Sequence, residues 1–252
     1  MKVTLWVLLV TLRAVNARAD GGGGKPDRSY LYDGGAVPLL WIPLVAGLAI
    51  DQGVTPRSTP LLFDAREGGA APSSWEVPGW SLAVAGVGVA GLYVATSDDS
   101  SRWYHAKGLV EAMATSSLVV SIVKPVFGRH RPDWTAANSD STRAESFPSG
   151  HATRAFAIAT YSALYLHDHV PGDHALAYAG MFTGAALVAG ERVYHDRHFV
   201  SDIAAGSLLG ATTSYLIYRY QDARASGQRT RDWAMALSPG ARVSSLFITG
   251  TF

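Results

Sequence analysis

From Trp80 to Thr96 the sequence is almost uninterrupted apolar residues, with Gly86, Gly88 and Gly91 set among them. Small residues at such close spacing suit tight helix–helix contact, in lipid or in a dense core. Four further stretches read as helices: Gly108 to Val123, Ala152 to Leu166, Ala175 to Gly190 and Asp202 to Tyr218. The first of these is amphipathic, with Glu111, Thr115, Ser116, Ser117 and Ser121 interspersed. Ala36 to Ile50 is apolar but short and carries Pro38 and Pro43. No alternating run stands out before the tail, where Val243 to Phe252 could pair as a strand. The pattern predicts an all-α bundle of about six helices, with polar loops after the third and between the fifth and sixth.

Charged residues make up 16% of the chain, well below the ~25% usual for soluble domains. That composition points to a helical membrane protein or an unusually apolar soluble one. A membrane span needs ~20 apolar residues and at least ~17. Trp80 to Thr96 just qualifies and Ala36 to Ile50 does not, so insertion is favoured over a soluble periplasmic bundle. The net charge is +1, which leaves no global field to recruit nucleic acid. There is no cysteine, which removes disulfides, thiolate metal sites and cysteine nucleophiles.

Met1-Lys2, an apolar run from Val3 to Leu12 and Ala17-Arg18-Ala19 read as a signal peptide over residues 1–19, or else as an uncleaved anchor. Residues 20–35, with Gly21 to Gly24 in a row, form a flexible segment ahead of a helical domain at 36–220 and a tail at 221–252. Asp51 to Gly79 is rich in Pro, Gly and Ser and reads as loop.

Three polar clusters sit at helix boundaries. The first runs from Lys124 through Arg129, His130 and Arg131 to Pro132, a rigid cationic turn after a helix. A basic loop flanking a membrane span would look the same. The second is Phe147-Pro148-Ser149-Gly150-His151, just before a helix. A helix start there offers N–H groups and a positive dipole end to an anion, although Ser149 could be no more than an N-cap. The third runs from Arg192 to Asp202. His198 and Asp202 are four apart and share a helix face, so the carboxylate can fix one ring nitrogen and leave the other to attack. His195, Asp196 and Arg197 read more plainly as a surface patch of mixed charge.

Read in order, the clusters give Lys-x6-Arg-Pro, Pro-Ser-Gly-His and Arg-x5-His-x3-Asp, with helices between. This resembles the type 2 phosphatidic acid phosphatase family, which also includes bacterial nonspecific acid phosphatases and vanadium haloperoxidases. The resemblance implies a phosphatase that needs neither metal nor cofactor. Carried over, Lys124, Arg131 and Arg192 would grip the phosphoryl oxygens, and Ser149 with the backbone N–H of Gly150 would complete the cradle. His198 would be the nucleophile, oriented by Asp202, and His151 the acid and then the base. Phosphoryl transfer needs mainly positioning and charge neutralisation, which these residue types supply. One departure is Glu191, where the family usually has Ser before the arginine of the third motif. That carboxylate is expected to bond Arg192.

The expected substrate is a lipid phosphate, hydrolysed by an exported inner-membrane protein with its site facing the periplasm. The loop from Ser97 to Lys107, with Arg102 and Lys107, would then lie on the cytoplasmic side, as would Arg219, Arg224, Arg229 and Arg231. The alternatives are a soluble periplasmic acid phosphatase acting on small phosphoesters and, more remotely, a vanadium haloperoxidase or a non-catalytic anion-binding or transport protein.

Overall fold

In the computed structural model, residues 76–97, 101–134 and 145–225 are described. The expected signal peptide, the flexible segment, the helix at Ala36 to Ile50 and the strand-forming tail fall outside them. The described residues form five helices and no strand: α1 (Gly79–Thr96), α2 (Arg102–Phe127), α3 (Gly150–His169), α4 (Ala175–Tyr194) and α5 (Val200–Ala225).

All five expected stretches are helical, and several run longer than the apolar pattern suggested. The stretch from Arg102 to Lys107 was expected to be loop, yet it forms the first turns of α2. Lys107 finds partners within the bundle: it pairs with Glu111 at 2.9 Å, and Glu111 accepts from Gln221 of α5 at 2.5 Å. At the other end α2 continues through Lys124 and Pro125, so Lys124 lies in its last turn rather than after it. Gly128 closes the helix in the left-handed region (φ 56°), donating its N–H to the Lys124 carbonyl at 2.9 Å.

α3 is central and packs against the other four helices, most extensively against α5. Leu109, Ala112 and Met113 of α2, Tyr161 and Tyr165 of α3, Ala90 and Tyr93 of α1 and Tyr218 of α5 make the main core. A smaller cluster joins Leu82, Ala155, Ala159 and Ala185. The closest approach is between α3 and α5. A Cβ at Gly206 would lie 2.5 Å from the Ser149 carbonyl oxygen, and one at Gly210 would lie 2.1 Å from that of Thr153. One turn further on, Ser214 donates to the Ala157 carbonyl at 2.9 Å. Asp202, Gly206, Gly210 and Ser214 therefore make one face of α5, spaced four apart and pressed onto the α3 backbone. Consecutive helices alternate in direction, which brings the starts of α1, α3 and α5 and the ends of α2 and α4 to one end of the bundle.

Candidate active site

Asp202 is the third residue of α5 and is fully buried. Its Oδ2 accepts from the Phe199 backbone N–H at 2.9 Å and from the Ser146 hydroxyl at 2.5 Å, while Oδ1 pairs with Arg129 at 2.6 Å. The Phe199 bond is half of a capping box, so folding the start of α5 is enough to place the carboxylate. Burial raises the Asp202 pKa, but the bonds from His198, Ser146 and Phe199 and the Arg129 charge outweigh it and hold the carboxyl below its usual range.

His198, itself buried, brings Nδ1 within 3.5 Å of both Asp202 Oδ2 and Ser146 Oγ. The Ser146 proton is already given to Asp202, so both oxygens can only accept from the ring. Nδ1 therefore carries the hydrogen and Nε2 keeps its lone pair. Burial, reinforced by the charges of Lys124 and Arg131, pushes His198 down to about 4 against the opposing pull of Asp202.

The cations crowd one another. Burial, together with the nearby charges of Arg192 and Arg197, lowers the Arg131 pKa despite Asp133 and Glu145. Arg192 is buried and lies 3.3 Å from Glu76 and 3.5 Å from both oxygens of Glu191. Glu191 thus bonds its neighbour, as expected from its position, and it also lies 3.5 Å from His195. Like charges gathered in a buried corner are what an anionic ligand would stabilise.

Ser149 caps α3, its hydroxyl accepting from the Ala152 N–H at 3.5 Å, and Gly150 is the first helical residue. The Ser149 N–H donates to the Asp202 carbonyl at 3.0 Å, which ties the start of α3 to the start of α5. His151 places Nε2 at 2.9 Å from the Val77 carbonyl, which can only accept, so Nε2 carries the hydrogen. Burial, with Arg192, Arg154 and His198 adding to it, pushes His151 down to about 3 against the Val77 bond.

The structure gathers all eight sequence-predicted residues at this end of the bundle. Backbone bonds from Ser146 to Arg129 at 2.8 Å and from Asp133 to Asp196 at 3.2 Å stitch the three motif segments together. The sequence placed Arg129 in the cationic turn without a role, and gave no sign of Ser146, which with Arg129 holds Asp202, or of Glu76, which bonds Arg192 and Arg197. Motif spacing did not reveal any of them. The surface reading of His195 and Arg197 is corrected: His195 is buried beside Glu191, and Arg197 bridges Glu76 and Asp133. Among the described residues no group of three metal-ligating side chains lies at this end; the one such group is at the other.

The model of the PAP2 superfamily matches residues 106–226, a stretch that contains every residue of this cluster except Glu76 and Val77. The chain belongs to the PAP2 superfamily. Among curated relatives, this PAP2 chain is 30% identical over 161 residues to a PA-phosphatase related-family protein of Dictyostelium discoideum, covering 56% of this chain and 59% of that one. It is 36% identical over 111 residues to the lipid A 1-phosphatase of Porphyromonas gingivalis, covering 44% and 22%. Phosphatidylglycerophosphatase B of Bacillus subtilis is 32% identical over 111 residues, covering 43% and 54%. The alignments thus span less than two thirds of each relative's length. No solved structure matches the chain.

Proposed function

We propose that this PAP2 protein hydrolyses phosphate monoesters or diphosphates of lipids, without a metal ion, through a phosphohistidine on His198. The observation that carries this reading is the state of His198. It is buried, its Nδ1–H faces Asp202 and Ser146, and it lies under the charges of Lys124 and Arg131. Such a ring is a neutral nucleophile at ordinary pH.

In the proposed reaction Lys124, Arg131 and Arg192 hold the phosphoryl oxygens, with Ser149 and the Gly150 N–H beside them. Nε2 of His198 forms a bond to phosphorus as the ester or anhydride P–O bond breaks. The departing oxygen takes a proton from His151. Water, deprotonated by His151, then attacks phosphorus, the P–N bond breaks, and phosphate leaves. His151 is held well below its usual pKa while the neighbouring cations are unneutralised. A bound phosphoryl group offsets Arg192 and lets His151 hold the proton it must give. Its Nε2–H now points at Val77, and Glu76 of the same segment sits on Arg192, so substrate would displace both contacts.

Two features support a membrane setting. α1 and α2 are long and apolar enough to cross a bilayer. Large apolar side chains also face outward on α1 (Trp80, Leu92), α4 (Leu176, Leu187) and α5 (Leu208, Leu216), a belt that suits lipid. Arg102, Lys107, Arg219 and Arg224 belong to the end away from the site, which fits a cytoplasmic far end and an outward-facing site. The names of the Porphyromonas and Bacillus relatives point to lipid phosphates as well.

The test is phosphate release by detergent-purified protein with chelator present, comparing phosphatidic acid, an isoprenyl diphosphate and p-nitrophenyl phosphate. Chelator-resistant release that is strongest on a lipid and lost in His198→Ala is expected. Release strongest on the small ester would favour a nonspecific acid phosphatase, and release that needs added metal would overturn the mechanism.

A further inference from the structure

Roughly 27 Å from His151, one helix rise of about 1.5 Å per residue along α3, lies His169 at the opposite end of the bundle. There α2, α3 and α5 bring together His105, His169 and Asp222. Nε2 of His105 and Nε2 of His169 each lie 4.0 Å from the same oxygen, Asp222 Oδ1, and one donor atom from each residue falls within 4.8 Å of the others. We propose that His105, His169 and Asp222 form a binding site for one divalent transition-metal ion, with zinc the best match to the donor set.

The distances favour an ion over direct pairing. At 4.0 Å neither imidazole hydrogen-bonds the carboxylate. Around zinc, with bonds of about 2.0–2.2 Å, tetrahedral ligand atoms stand roughly 3.3–3.5 Å apart. Closing each His–Asp gap needs about half an ångström, within the reach of the one-third-exposed Asp222 side chain, and the widest donor separation, up to 4.8 Å, must shorten by about 1.4 Å through small turns of the two rings. Two imidazoles and one carboxylate are borderline donors that suit zinc better than calcium or magnesium, and three protein ligands leave a fourth position for water.

The rings are also held in place before any ion arrives. His105 is fully buried, stacked on Tyr218 at 4.9 Å between ring centres and edge-on to Tyr165 at 5.3 Å. His169 stacks on Tyr165 at 4.8 Å and lies 4.5 Å from the His105 ring. Nδ1 of His105 is 3.4 Å from the Tyr161 hydroxyl. With Nδ1–H donating to that oxygen, Nε2 presents its lone pair towards Asp222, the second-sphere arrangement that ligating histidines use. Asp222 is about one-third exposed, which gives the ion a way in from solvent. An ion here would staple α2, α3 and α5 at the end remote from the phosphate cradle, and the proposed hydrolysis does not route through it.

The experiment uses the full chain, purified in detergent and stripped with chelator that is then removed. Zinc chloride is titrated by calorimetry and cobalt(II) by its visible absorption, for wild type and for Asp222→Asn, His169→Gln and His198→Ala. One equivalent of zinc is expected, with an intense low-coordination cobalt spectrum and a thermal midpoint that rises with zinc. Asp222→Asn and His169→Gln should each weaken binding by about tenfold or more, while His198→Ala binds as wild type. Asp222 is partly exposed, so Asp222→Asn decides the matter if His169→Gln does not fold. Absence of saturable zinc binding, or binding unchanged in Asp222→Asn, would overturn the site. Neither result bears on phosphate release in chelator, so this site and the phosphatase reading fail separately.

Discussion

Asp202 takes a hydrogen bond from a hydroxyl and from a backbone N–H, and it pairs with Arg129 across a buried contact of 2.6 Å. Removing one partner of a buried pair leaves an uncompensated charge, at a typical cost of about 3–5 kcal/mol. Arg129→Ala should therefore destabilise the fold on that scale in denaturant titration. Arg129→Lys should recover only part, because a point charge replaces a fork. Arg129 acts through Asp202 on the orientation of His198, so in the lysine variant kcat should fall more than KM changes. Equal stability of Arg129→Ala and wild type would contradict this assignment. Burial also holds His198 at about 4 and His151 at about 3, both below the ordinary histidine value. The unfolded chain then binds protons first on acidification, so stability is full above about pH 6.5 and is lost as pH falls towards 4. Unfolding free energy measured across that window should drop less steeply in His198→Gln; an identical slope would remove His198 as a source. His198 and Asp202 were legible in the sequence because their relation is local, one helical turn. Arg129 and Ser146 were not, because they stand 73 and 56 residues from the carboxylate they hold.

At the scale of elements, the contact of α3 with α5 sets the site. Gly206 and Gly210 let the two backbones meet, and that contact carries the Ser149 turn onto Asp202. Gly210→Ala places a methyl 2.1 Å from a carbonyl oxygen of a rigid helix, where no flexible side chain can yield. The helices must part, which should cost on the order of 1–3 kcal/mol or more and lower activity with it. Gly88→Ala in α1 meets nothing within 4 Å and should instead stabilise by up to about 1 kcal/mol, from helix propensity alone. Thermal unfolding of the two variants separates these cases, and similar shifts in both would mean that α3 and α5 are not so closely set. The five helices were readable from their apolar runs, but their ends were not. Lys107 looks like loop polarity until its pairing with Glu111, itself bonded by Gln221, is known.

At the scale of the whole bundle, the described residues form two chemically distinct ends joined by an apolar middle. One gathers the cations, His151, His198 and Asp202; the other gathers His105, His169 and Asp222. The first was legible because its residues fall in short, ordered strings at helix boundaries. The second was not, because its members are single residues on three helices and only the packing of those helices makes them neighbours. At the first end, His198 itself is proposed to become phosphorylated during turnover. That step is tested most directly by rapid quenching of the purified protein with a substrate radiolabelled in its phosphoryl group, followed by mapping of any label on the chain. Label is expected on His198, surviving alkali, released by acid and absent from His198→Ala. Turnover with no label on the wild type under fast quench, or label that persists in His198→Ala, would contradict it.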